Sequence, residues 1–203
     1  MRRLAVLFLA VAFLLPGAAR ANGDPASDVL LAAQVFLPFE APISKPAAAN
    51  LRKTVASANS KGYKVRVAVI AFSGDLGTAR SLWGKPQTYA KFLGSELAFV
   101  YSNRLLVAMP SGFGFYNGKE PVAKELRVLR SVAPGKIPTP LAESAASAVR
   151  ALAAAAGVTV HKPSGGSSAT RDRLILGIAV LAFLLVLVFP ARLVTRRARG
   201  AEQ

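Results

Sequence analysis

The chain has 203 residues, 53% of them hydrophobic, with 26 Lys/Arg against 10 Asp/Glu, a net charge of +16, and no cysteine. Without cysteine there is no disulfide framework, no redox or thiolate chemistry and no Cys-containing zinc site, and one histidine cannot make a His-based one. The charge is unevenly spread, because residues 22–160 hold 16 basic and 8 acidic side chains and the remaining excess sits in the two ends.

Arg2 and Arg3, the apolar run Leu4 to Leu15, and Ala19-Arg20-Ala21 have the charged, apolar and small-residue parts of a secretory signal. Cleavage is expected after Ala21, over residues 1–21; a retained signal would instead make a second span. Residues 22–160 are then long enough for one exported domain with a proper core.

That domain opens with a turn at Asn22-Gly23-Asp24-Pro25, followed by an apolar segment from Val29 to Phe39. Its residues fit neither a helical nor a strand period, and Pro38 and Pro42 break any long element. A short helix or strand is expected, running into an extended arm. Ala47 to Lys61 reads as a helix, with Ser44 as cap, Pro46 in the first turn and Gly62 beyond the end. Lys64 to Phe72 begins with polar alternation and ends apolar, the pattern of a strand entering a buried sheet.

Ser73-Gly74-Asp75-Leu76-Gly77-Thr78 ends that strand, and Leu76, Ala79, Leu82 and Trp83 suggest one or two helical turns. A longer helix starts at Gly84-Lys85-Pro86, with Tyr89, Phe92, Leu93 and Leu97 on its apolar face. Arg104 to Met109 is a second buried strand, so strand, helix and strand form a crossover with parallel strands, right-handed by the usual rule. Pro110-Ser111-Gly112 turns the chain into a hairpin through Phe113-Gly114-Phe115-Tyr116. Two further helices are expected at Val122 to Val132 and Leu141 to Ala156, separated by a proline-containing break.

Residues 161–173 have the composition of a flexible linker. From Leu174 to Ala191 there is no charge, and Leu193 and Val194 extend the run to the length of a transmembrane helix, 174–194. Arg192, Arg196, Arg197 and Arg199 follow, and a basic trailing end orients the tail, 195–203, to the cytoplasm. The reading is a type I, single-pass protein of the cell membrane with its α/β domain outside the cytoplasm. That location excludes nucleic acid and leaves lipid headgroups or anionic envelope polymers as acidic partners for the domain's net +8.

Chemistry-bearing residues are sparse. His161 stands at the edge of the linker, far from the rigid placement a general base needs. Asp24 and Asp28 are the one close carboxylate pair that could share a divalent cation, although they also suit helix capping. Ligands of open parallel sheets settle beyond the carboxyl ends of the strands, where Ser73, Asp75, Thr78 and Ser111 could converge. The same residue types also serve as caps and turn formers there. No phosphate-binding loop or dinucleotide fingerprint is present, and no cofactor is expected.

Order and spacing over roughly Asp24 to Ala156 resemble the TPM domain, an exported or membrane-anchored α/β domain of bacteria and plastids. The resemblance rests on a helix before the strand at 65–72, Tyr89-Ala90 within a helix, the Leu105-Leu106-Val107 strand and the glycine-bearing hairpin at 112–116. Small single-pass membrane proteins of actinobacterial type share a closer pattern: Gly23-Asp24-Pro25-Ala26-Ser27-Asp28-Val29-Leu30, Asp75-Leu76-Gly77 and Gly84-Lys85-Pro86-Gln87. What the resemblance implies for some members is divalent-metal binding and phosphatase activity through acidic residues after the hairpin. Here that loop supplies one carboxylate, Glu120, beside Lys119, so no family site residue carries over. The expectation is a non-catalytic binding or scaffolding module docking an envelope or membrane protein through the 29–39 arm and the strand-end loops. A metal-dependent phosphatase and electrostatic adhesion to anionic polymer or lipid are the alternatives.

Overall fold

The structure, a computed structural model, describes residues 23–40 and 42–162. The expected signal, most of the linker, the span at 174–194 and the orienting residues Arg192, Arg196, Arg197 and Arg199 lie outside the described residues. Among the described residues, no helix is long and apolar enough to cross a membrane.

The elements run α1 (Pro25–Ala32), β1 (Val35–Phe36), α2 (Lys45–Ser60), β2 (Val65–Val69), a 3₁₀ stretch (Ser73–Leu82), α3 (Pro86–Leu97), β3 (Arg104–Met109), β4 (Gly112–Asn117), α4 (Ala123–Leu129) and α5 (Pro138–Ala155). One mixed sheet has the order β1-β2-β3-β4. β2 is parallel to β3, as the crossover pattern predicts, and β4 is antiparallel to β3. The arm at 29–39 is partly absorbed into the fold: its Val35 and Phe36 pair with Val67 and Ala68 as a third parallel strand. Aperiodicity hid this, because helix, strand and turn succeed one another within eleven residues.

Alternation along the strands divides the core in two. Val65, Val67 and Val69 of β2 and Leu106 and Ala108 of β3 face one side, against Leu51 and Val55 of α2 and the alanine-rich stripe of α5. Small side chains on α5 let two helices lie close over the same strands. Ala68, Ile70, Leu105, Val107 and Met109 face the other side, against Leu30 of α1 and Tyr89, Leu93 and Leu97 of α3. The β1–α2–β2 and β2–α3–β3 connections advance in the same direction across the sheet but on opposite faces. They therefore have opposite hands, so one of them departs from the right-handed preference.

Element ends follow local chemistry. The Ser44 hydroxyl accepts from the Ala47 N–H at 3.4 Å and caps α2. The buried Asn59 amide fixes the far end of α2 to the start of β2, donating to Val55 and Val65 carbonyls and accepting from the Val65 N–H, all at 2.8–3.0 Å. β2 stops before the expected Phe72 because the Ala71 and Phe72 N–H groups turn to the Asp75 carboxylate instead of a strand. At the sheet edge, the Gln87 side chain on α3 donates to the Phe115 carbonyl at 3.0 Å and accepts its N–H at 2.9 Å. This covers edge groups of β4 that would otherwise be open to pairing.

The approach of α3 to β4 requires glycine. A Cβ at Gly114 would collide with the Pro86 carbonyl and the Gln87 nitrogen, both backbone atoms. Gly114→Ala is accordingly expected to destabilise the fold by about 1–3 kcal/mol. Gly74→Ala, whose Cβ would enter open space, should change stability by less than about 0.5 kcal/mol. Thermal unfolding followed by circular dichroism checks both, and equal effects would refute the packing account.

Candidate functional site

Beyond the carboxyl ends of β1 and β2, two loops lie side by side. Asp75 is 7% exposed, and one oxygen of its carboxylate accepts from the Ala71 N–H at 2.8 Å and the Phe72 N–H at 2.9 Å. Burial raises its pKa; the two backbone N–H groups oppose that, and the nearby Glu40 adds to it. Glu40 therefore brings the loop after β1 close to the loop after β2. Through that one oxygen Asp75 works as a clamp on the strand end.

The other expected strand-end residues do not share that environment. Ser73 and Thr78 are exposed on the 3₁₀ stretch. Ser111 is exposed at the β3–β4 turn, where it lines a groove with Phe113, Leu126 and Arg130 on the α4 side of the sheet. Of the four, Asp75 is the one whose side chain is fixed by partners, and those partners are structural.

What the loops present outward is apolar. Phe39 is 74% exposed and Phe72 51%, and Trp83 at the end of the 3₁₀ stretch is also exposed. Phe39 is held edge-on by Phe36, with ring centroids 5.6 Å apart. Behind it lies a shallow groove of about 410 Å³, lined by Val29, Val35, Leu37, Pro38, Ile43 and Arg52 among others. Composition placed these aromatics in an apolar segment, but which of them point outward depends on the β1–β2 register. That register brings positions 36 and 68 opposite one another, and the two exposed phenylalanines follow three and four residues later.

The carboxylate pair at the domain start is arranged differently from a cation site. Asp24 is 2% exposed; its Oδ1 accepts from the Ala26 N–H at 3.0 Å, capping α1, and its Oδ2 accepts from the Tyr89 hydroxyl at 2.6 Å. Asp28 is exposed in the first turn of α1. Burial raises the Asp24 pKa, and the Tyr89 and backbone hydrogen bonds hold it down in part. Tyr89 is itself pushed up, first by burial and then by the Asp24 charge. Exposed Glu96 is raised as well, by desolvation and then by Asp24. Among the described residues, no group of three or more His, Asp or Glu side chains stands in a metal-holding arrangement. In the sequence Tyr89 reads as part of an apolar face and of the Tyr89-Ala90 pair; its hydroxyl partner lies 65 positions away.

No protein-family model matches the chain, and no curated protein does. Among solved structures, the N-terminal domain of the cg2496 protein of Corynebacterium glutamicum is similar at 14% identity and a TM-score of 0.44. It covers 67% of this chain and 85% of its own. At that level it carries no argument about fold detail or function.

Two outcomes follow from this geometry. Asp75→Ala orphans two N–H groups and should cost about 1–2 kcal/mol, whereas Asp75→Asn, which keeps an acceptor, should cost less; chemical denaturation compares them. For Asp24 the folded pKa is raised above the unfolded value, so the folded state binds the proton more tightly. Its contribution to stability is full below the unfolded pKa, near 3.8, and is lost as pH rises through the folded value. Asp24→Asn retains the cap acceptor and should remove this downward step from the stability–pH curve, which unfolding midpoints measured across that range would reveal.

Proposed function

We propose that the chain is a membrane-anchored docking module whose α/β domain stands outside the cytoplasm and binds an envelope or membrane protein without catalysis. The observation that carries this reading is exposed Phe39 beside an apolar groove, with exposed Phe72 beyond the end of the adjacent parallel strand. Exposed aromatics clustered at one place on a rigid frame are characteristic of interaction sites, and burying them gives large area at small entropic cost. The polar groups nearby fit the same purpose, since Asp75 is committed to holding the loop that displays Phe72.

The membrane part of the proposal rests on the uncharged run at 174–191 and the arginines that follow it. The metal-dependent phosphatase implied by the TPM resemblance gains no support from Asp24, because both of its oxygens already accept hydrogen bonds. Electrostatic adhesion through the domain's net +8 would weaken steeply with salt, unlike apolar docking.

Photo-crosslinking in native membranes tests the reading. A photoreactive residue replacing Phe39 or Phe72 in the full chain should give the same discrete adduct, persisting at high salt. The same residue at exposed Lys119, beyond the hairpin, should give none. Adducts of equal yield from all three positions, or none from either phenylalanine, would overturn it.

A further inference from the structure

On the face of the sheet that Leu51 and Val55 cover, α2 and α5 run side by side in the same direction. Three contacts align them: the Ser44 N–H donates to Thr139 Oγ1 at 3.0 Å, Arg150 donates to Thr54 Oγ1 at 3.3 Å, and Lys61 Nζ donates to the Thr159 carbonyl at 2.7 Å. Between the helices is a groove of about 410 Å³, within the range of small-molecule sites, whose walls include Asn50, Pro134, Glu143, Ser147, Arg150 and Lys162.

The groove has two chemically distinct ends. Arg150 is partly buried and donates to two neutral hydroxyls, Thr54 Oγ1 and Ser147 Oγ at 3.0 Å. Burial lowers its pKa, but a guanidinium keeps its proton in proteins, so the wall carries a cation, and Lys162 adds a second. One helical turn earlier on α2 stands Asn50, and one turn earlier than Ser147 on α5 stands Glu143. Residues so spaced have Cβ atoms about 5–6 Å apart on a helix, so Asn50 and Glu143 stand about one turn along the groove from Thr54 and Ser147, the two hydroxyls that hold the Arg150 guanidinium. Asn50 Oδ1 has no hydrogen-bond partner and is turned inward; a buried acceptor in that state is costly. The terminal amide torsion of asparagine is soft, and a half-turn would present the oxygen to a donor in the groove.

An anion for Arg150 and Lys162, joined to a hydrogen-bond-donating cation for Asn50 and Glu143 about one turn away, is a zwitterion with separated charges. An α-amino acid carries both groups on one carbon and is too short. We propose that this groove binds ethanolamine phosphate, its phosphate on Arg150 and Lys162 and its ammonium on Asn50 and Glu143. The group could arrive free or as a phospholipid headgroup. Lys162 precedes the apolar run at Leu174 by only twelve residues, so both sources are tested. The site is independent of the docking surface at Phe39 and Phe72.

The full chain in detergent micelles would be titrated by calorimetry with O-phosphoethanolamine, phosphocholine, inorganic phosphate and short-chain phosphatidylethanolamine. O-Phosphoethanolamine should bind saturably and at least tenfold more tightly than phosphocholine, whose trimethylated nitrogen donates no hydrogen bond. Lys162→Gln and Asn50→Leu should each weaken it at least threefold. Lys162 is exposed, so its variant keeps the test free of folding defects, and unfolding midpoints would confirm this for Asn50→Leu. Binding of the phospholipid as tight as the free ester identifies the headgroup source; binding of the free ester alone identifies a soluble one. No saturable binding of either, equal binding of phosphocholine or inorganic phosphate, or unchanged affinity in both variants would overturn the proposal.

Discussion

The hydrogen bond from the Tyr89 hydroxyl to Asp24 is the constraint around which the second face of the domain is assembled. At 2.6 Å and buried, it joins the start of α1 to the first turn of α3, elements that share no sequence neighbourhood. The same carboxylate caps α1 through the Ala26 N–H, so one side chain sets both where the first helix begins and where it lies. Gly77 completes the arrangement, because at φ 53 its Cα passes directly beside the Gly23 carbonyl and the Pro25 ring, where any side chain would collide. Removing the Tyr89 hydroxyl would leave a carboxylate oxygen buried without a donor, which costs more than the bond itself contributes.

The other face is organised by hydrophobic burial with few polar fixtures. Asn59 locks α2 to β2 and three peripheral hydrogen bonds align α2 with α5, while the valines of β2 and the small-residue stripe of α5 pack between them by apolar contact. Two cores of different character thus share one sheet. The face of α1 and α3 is fixed by the buried polar contact between Tyr89 and Asp24. The face of α2 and α5 leaves a seam between two parallel helices, and polar residues line it where the helices do not touch.

The strands, the crossover and the helices were legible because each has a local signature: the apolar runs at 65–72 and 104–109, the Ser44 and Pro46 start of α2, the stripe of Leu141, Ala145, Val149 and Leu152. Val35–Phe36 was not legible as a strand, because two residues cannot show a period and their pairing with β2 is decided by tertiary packing. The end of β2 was read three residues too late for a related reason. Apolar Ala71 and Phe72 continue the pattern, while their N–H groups are taken by a carboxylate further along. At the site, the residue types at Ser73, Asp75 and Thr78 fitted ligand contact and capping equally; only the accepted N–H groups separate the two for Asp75.

The three short patterns on which the closer resemblance rests prove to be construction details. Gly23-Asp24-Pro25 is the cap, the Tyr89 acceptor and the backbone that fits against Gly77. Asp75-Leu76-Gly77 is the clamp, a core side chain and that same close approach. Gly84-Lys85-Pro86-Gln87 starts α3 and places the amide that covers Phe115 on the sheet edge. Residues committed in this way to holding the frame say where the elements lie and not what the domain binds. Among the side chains that the frame leaves free are the exposed Phe39 and Phe72 at the strand ends and Asn50, whose Oδ1 has no partner, between α2 and α5. None belongs to the motif set, which is why motif reading alone points to the architecture and away from the surfaces that would do the work.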